Sequence, residues 1–265
     1  MEKTAKKAGF TVAAMILATL LSKLLGMLRQ VMIASTLADS MEGVAFAAAS
    51  KIPFAIFDML FSAAVLGSFI PIYKGSLAKE PERARKFSAS FLTCIAAVTA
   101  GIAVLGMIFS RQILFLAAPK LDEETAALAA GLLRIMFPAM IFAGTAYTLV
   151  GILQSHESFI LPSLVSAFSN LVIIGYLFLF RGLSGAAAAY GLAAAYLVSW
   201  MVQFLTLAVP LMRRRRFPRP STDFGNPDLR LSVKRSLPVM LGSWLIPVGT
   251  LTATCLLYTS DAADE

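Results

Sequence analysis

The sequence predicts an all-α fold, a polytopic transmembrane helix bundle, and three observations carry that prediction. Of 265 residues, 58% are hydrophobic, where soluble domains hold roughly 45–50%. Only 14% are charged, against a usual ~25%. The apolar residues gather into runs of about 20 or more, enough to cross a bilayer as a helix. The formal charge of +8 does not point to nucleic acid, because the cations flank the apolar runs as membrane topology requires. Cys94 and Cys255 make no disulfide framework.

The elements follow in order. Span 1 is read over residues 10–37; the run after the basic start MEKTAKK is too long and too charged for a cleaved signal peptide, so it is retained. A short loop with Asp39 and Glu42 leads to span 2, residues 44–72, interrupted by Pro53, Gly67 and Pro71. Proline removes a backbone donor and bends a helix, so Pro53 and Pro71 are read as hinges. A basic loop over 73–86 precedes span 3 at 87–117. An acidic loop at 119–124 precedes span 4 at 126–153, which carries Arg134 and Pro138. Span 5 covers 159–180 and span 6 covers 185–212. The glycines and alanines of span 6 suit close helix packing, and Asn170 of span 5 suits a bond across helices.

These spans divide the chain into a six-helix lobe over 1–212, a basic loop over 213–235 and part of a seventh helix over 236–254. The last eleven residues, CLLYTSDAADE, break the pattern and resemble a translated sequencing adapter. They are read as a non-native tail over 255–265 on a chain cut before helix 7 ends. Most of the 23 Lys and Arg lie at the amino terminus and in the loops after spans 2 and 6, which places the amino terminus in the cytoplasm. The run Arg213–Arg216 is read first as a topology signal.

The candidate site rests on charges inside spans. Lys23 and Arg29 lie about 9 Å apart along span 1. A cation at bilayer depth costs at least ~2.5 kcal/mol, so two in one helix must face protein or a water-filled cavity. Ser22, Gly26 and Arg29 share one face by the i, i+4, i+7 rule, with Lys23 and Gln30 beside it. Lys51 and Asp58 share a face of span 2. Lys23, Arg29, Lys51 and Asp58 therefore form the predicted cavity for an anion, with Ser22, Gly26 and Arg134 as weaker members. The lone His156 is read as solvated, and Glu123 and Glu124 as surface acids. No His, Cys or acid cluster suggests a metal, no general base accompanies Ser22 or Ser62, and no glycine-rich phosphate loop is present, so neither an enzyme nor a cofactor is expected.

Three motifs keep their order and spacing: Ser22-Lys23-Leu24-Leu25-Gly26-Met27-Leu28-Arg29, Ser50-Lys51-Ile52-Pro53 with Phe69-Ile70-Pro71, and Leu132–Pro138 with Leu149–Leu153. In these the chain resembles the MurJ (MviN) lipid II flippase family of the multidrug/oligosaccharidyl-lipid/polysaccharide exporter (MOP) superfamily. Pro162 and Asn170 also fall in place, while Val44, Phe57, Asp58 and Ser62 depart from the family pattern. The resemblance implies two pseudo-symmetric lobes, of which this chain holds the first, in a bacterial cytoplasmic membrane. It implies a polyprenyl-diphosphate lipid carrying the peptidoglycan precursor (lipid II) as substrate and partner, moved by alternating access, with Arg29 holding the diphosphate and Lys23 standing where arginine is usual. It names no coupling ion. The rival readings are a polysaccharide-lipid exporter, a drug or ion antiporter of the same superfamily, and an inactive fragment.

Overall fold

The computed structural model describes residues 2–37, 40–58, 65–238 and 240–241. Ser62, the end of the expected seventh helix and the tail over 255–265 lie outside the described residues. Within them the chain is built from helices and turns alone: α1 (Glu2–Leu37), α2 (Met41–Phe57), a π-helical turn (Val65–Phe69), α3 (Ile70–Lys79), α4 (Pro81–Ile108), α5 (Ser110–Ala117), α6 (Glu123–Met136), α7 (Ala139–Ser155), α8 (Ile160–Leu179) and α9 (Gly185–Arg213). A further helix, α10, covers 227–238. Four of the described helices are long and apolar enough to cross a membrane, and α6 with α7, bent by 41° at the break between them, meets the same test when taken as one span.

Local chemistry sets the ends. Ser40 caps α2 by accepting from the Gly43 N–H at 3.1 Å, and Asp122 caps α6 by accepting from the Thr125 N–H at 3.0 Å; each satisfies a donor that the first turn leaves free. Gly43 follows so closely on α1 that a Cβ there would run into the Leu37 carbonyl. Pro81 stands at the start of α4, where its missing N–H costs nothing. The α6–α7 bend falls at Phe137–Pro138, where the proline breaks the hydrogen-bond ladder.

The core gathers where α6, α7 and α9 meet α2 and α4. Leu132, Leu133, Met136, Phe137, Leu149 and Ile152 are fully buried there. Between spans such contacts hold by close fit, since lipid is as apolar as leucine. Small residues permit it: Tyr176 of α8 lies over Gly191 and donates to the Ala188 carbonyl at 2.9 Å. The outward face of α1 presents Leu17, Leu20, Leu24, Met27 and Val31, as a lipid-facing helix does.

Three sequence boundaries are corrected. The basic segment 73–86 is not a loop: it is the end of α3 and the start of α4, joined at Glu80. Span 3 ends at Ile108, and α5 is a separate helix after Phe109. The basic segment 213–235 already contains most of α10.

Side chains hold α10 in place. Arg83 of α4 grips Asp228 with two hydrogen bonds, at 2.7 and 2.6 Å, and the Ser76 hydroxyl donates to the same carboxylate at 3.2 Å. Ser68 meets Ser232 and Ser236, each at 2.7 Å. Asp228 is buried, and the Arg83 hydrogen bonds hold its carboxyl below the usual range, against the opposing effect of burial. Its contribution is therefore complete above the unfolded carboxylate value of ~3.9 and is lost as pH falls through the lower folded value. Asp228→Ala is expected to weaken the docking of residues 227–238 by about 2 kcal/mol, read as faster amide exchange in that helix at neutral pH. Unchanged exchange would show that the serine contacts alone hold it.

Candidate functional site

α1, α2, α8 and α9 enclose a cavity of about 450 Å³. Its position follows from how α1 sits on α8. The Ser22 hydroxyl donates to the Ser163 carbonyl at 3.0 Å, and the Asn170 side chain returns a hydrogen bond to the Ser22 carbonyl at 3.1 Å. A Cβ on Gly26 would lie 3.4 Å from the same Asn170 amide. Ser22 and Gly26 thus form the helix contact. Arg29, on the same face one turn further, emerges beyond it into the cavity.

Arg29 and Gln30 line the α1 wall and Lys51 lines the α2 wall. Tyr196, Ser199 and Trp200 of α9 complete the far side. Trp200 stacks on Phe54 with ring centroids 5.2 Å apart, which stiffens one side of the cavity. The Arg29 Nε is buried and has no hydrogen-bond partner among the described residues. A buried guanidinium donor left empty is costly, and no carboxylate is among the residues lining the cavity. The site is a cationic cavity with one buried guanidinium donor, the Arg29 Nε, left without a partner among the described residues, and an oxyanion is the group that a guanidinium recognises best.

The other expected residues fall elsewhere. Lys23 is exposed on α1, outside the cavity. Asp58 is exposed at the end of α2 and does not line the cavity. Arg134 donates from Nε to the Ser110 hydroxyl at 2.9 Å, tying α6 to α5. Pro53 is buried inside an unbroken α2, and Pro71 stands in the first turn of α3, a position proline favours. His156 is only partly exposed; its Nε2 lies 3.3 Å from the Tyr73 hydroxyl, and burial, then the charge of Arg216, lowers its pKa. It is a packing residue at the end of α7 where the sequence suggests a solvated one. Glu123 and Glu124 are exposed as expected, with Glu123 paired to Arg111.

The α9 wall escaped the sequence reading. Its signal was available: Tyr196, Ser199 and Trp200 follow the i, i+3, i+4 spacing and so share one face of a largely apolar helix.

Comparison with known proteins follows this geometry. Residues 33–259 match the family profile described as Lipid II flippase MurJ. A probable lipid II flippase MurJ of Buchnera aphidicola subsp. Schizaphis graminum is 32% identical over 230 residues, 85% of this chain and 44% of that protein. One of Bdellovibrio bacteriovorus is 30% identical over 239 residues, 88% of this chain and 45% of that protein. The chain thus spans about half the length of the curated relatives it matches. Among solved structures, an inward closed lipid II flippase MurJ superposes with TM-score 0.72 at 22% identity, over 86% of this chain and 46% of that one. At such identity the likeness speaks for the fold, which is that of a multi-pass membrane transporter.

Proposed function

The chain belongs to the lipid II flippase MurJ family, and from that premise we propose that it forms one lobe of a transporter that carries a polyprenyl-diphosphate-linked peptidoglycan precursor across the bacterial cytoplasmic membrane. The lobe works with a second one by alternating access, with its amino terminus in the cytoplasm. The lipid headgroup occupies the cavity between the lobes while the tail stays in lipid.

The observation that carries this reading is the unpartnered Arg29 Nε inside the cavity. A diphosphate offers several oxyanions, and Arg29 presents the planar fork that recognises them. Lys51 adds a point charge on the α2 wall. In a site partly withdrawn from water these charges act more strongly than at an open surface. The lining also argues against a carrier of cationic drugs, which needs acids where this cavity has a lysine and an arginine. In this reading Lys23 and Asp58 belong to the approach to the cavity rather than to its wall.

The chain, purified in a nonionic detergent, tests this by native mass spectrometry. Undecaprenyl diphosphate is expected to be retained at least ~10-fold better than undecaprenol, a difference of one charge-assisted contact or more. Lys51→Gln should weaken the diphosphate complex by roughly 10-fold and leave the alcohol unaffected. Equal retention of the two lipids would overturn the assignment.

A further inference from the structure

We propose that a second cleft, remote from the Arg29 cavity, binds the phosphate headgroup of an anionic membrane phospholipid. The cleft has a volume of about 880 Å³ and lies between the first turns of α4 and the turn that follows α9. It shares no lining residue with the Arg29 cavity. Arg85 and Lys86 come from α4, and Arg215 and Arg219 from the turn. Its one acid, Glu82, is already paired with Arg85 at 2.9 Å. Three cations therefore face the cleft without an ion-pair partner among the described residues.

The turn is a built structure. Arg216 and Phe217 both return their N–H groups to the Leu211 carbonyl, at 2.8 and 3.2 Å, and the Ser221 N–H donates to the Thr93 hydroxyl at 3.0 Å. Between these anchors Arg215 sits at φ 55, the left-handed conformation that usually falls to glycine after a helix. An arginine held there against its backbone preference presents a cation where glycine would have closed the helix more cheaply.

Location identifies the ligand. α4 begins and α9 ends at this cleft, and both are long and apolar enough to cross a membrane, so it lies at headgroup depth. Phe217 and Met212 supply an apolar wall for the glycerol and upper acyl carbons, which inorganic phosphate would not use. Clustered basic side chains at the end of transmembrane helices are a recurrent solution for anionic lipid headgroups.

The test is native mass spectrometry of the whole chain in nonionic detergent with dioctanoyl phosphatidylglycerol, dioctanoyl phosphatidylcholine or inorganic phosphate. Phosphatidylglycerol is expected to bind at least ~10-fold better than phosphatidylcholine. Arg215→Gly combined with Arg219→Gln should cost about 10-fold, because glycine keeps the backbone turn while the charge is lost. Arg213→Gln with Arg214→Gln removes the same charge outside the cleft and should change binding by less than ~2-fold. Equal loss in the two pairs would reduce the effect to diffuse attraction and overturn the site. Displacement of the lipid by an equal concentration of inorganic phosphate would overturn the lipid as its ligand. Should the first pair fail to fold, Lys86→Gln on the α4 surface carries the same test: about 3-fold weaker binding supports the cleft, and unchanged binding overturns it.

Discussion

Arg29→Met is expected to make the chain more stable and to weaken its affinity for a polyprenyl diphosphate by roughly 100-fold. The two effects have one cause. The Arg29 Nε is buried without a partner among the described residues, so the empty protein bears a desolvation cost that an incoming anion would offset. Replacing a buried charge by an apolar side chain of similar length is often neutral or stabilising by 1–4 kcal/mol. Because this guanidinium is only partly buried, about 1 kcal/mol is the reasonable figure. Methionine also matches arginine in helix propensity, so α1 itself should be unaffected. Binding moves the other way: removing a charged partner from a desolvated contact costs 2–5 kcal/mol, or roughly 100-fold in Kd. Arg29→Lys should fall between, since it keeps the charge but loses the bidentate fork. Thermal unfolding in detergent and native mass spectrometry with undecaprenyl diphosphate read the two arms separately. A methionine variant that binds as well as the parent would remove Arg29 from the site. A variant that loses stability instead would mean that the Nε has a partner in the empty protein, such as a bound water.

What was legible in the sequence divides along physical lines. The helical bundle was readable because hydrocarbon admits few alternatives to a continuous helix. The special place of Arg29 was readable because a cation in a span needs a reason. Asn170 and the small residues of α9 were readable as helix contacts, and Asn170 does bond to α1. Which side of α1 faces what was only half readable. Ser22, Gly26 and Arg29 do lie on one face, but α8 covers the first two and leaves the third to the cavity; periodicity gives the face and not where the neighbour ends. The helical state of 73–86 is hidden in the sequence because clustered charge reads as loop, whereas Pro81 starts a helix whose charges lie in its first two turns, ahead of its apolar run. The capture of Asp228 by Arg83 joins residues 145 positions apart, and no local pattern announces such a pair.

Phe69→Ala should produce the largest loss of stability in the chain, about 3–4 kcal/mol. Phe69 closes the π-helical turn before α3 and is fully buried. Its ring meets three others, Tyr73, Phe87 and Phe91, at centroid distances of 5.4, 5.3 and 4.6 Å. Against its other side, a Cβ on Gly151 would stand 3.0 Å from the ring, so α7 has no side chain with which to fill the hole. Truncation therefore leaves a cavity between three helices that cannot collapse, the condition under which large-to-small changes cost most. Phe69→Leu retains most of the volume and should cost less than ~1.5 kcal/mol. The effect should also reach beyond the ring. Ser68, the preceding residue, bonds to Ser232 and Ser236 of α10, so loosening this turn should speed amide exchange across residues 227–238 as well as in α3. Paired with Phe91→Ala, the two losses should fall short of additive by roughly 0.5–1.5 kcal/mol, the coupling of an aromatic pair. Additive losses would mean that the rings are neighbours without being partners. A loss under ~1 kcal/mol for Phe69→Ala alone would show that the turn repacks, and that α10 is fastened through Arg83 and Asp228 rather than through this aromatic cluster.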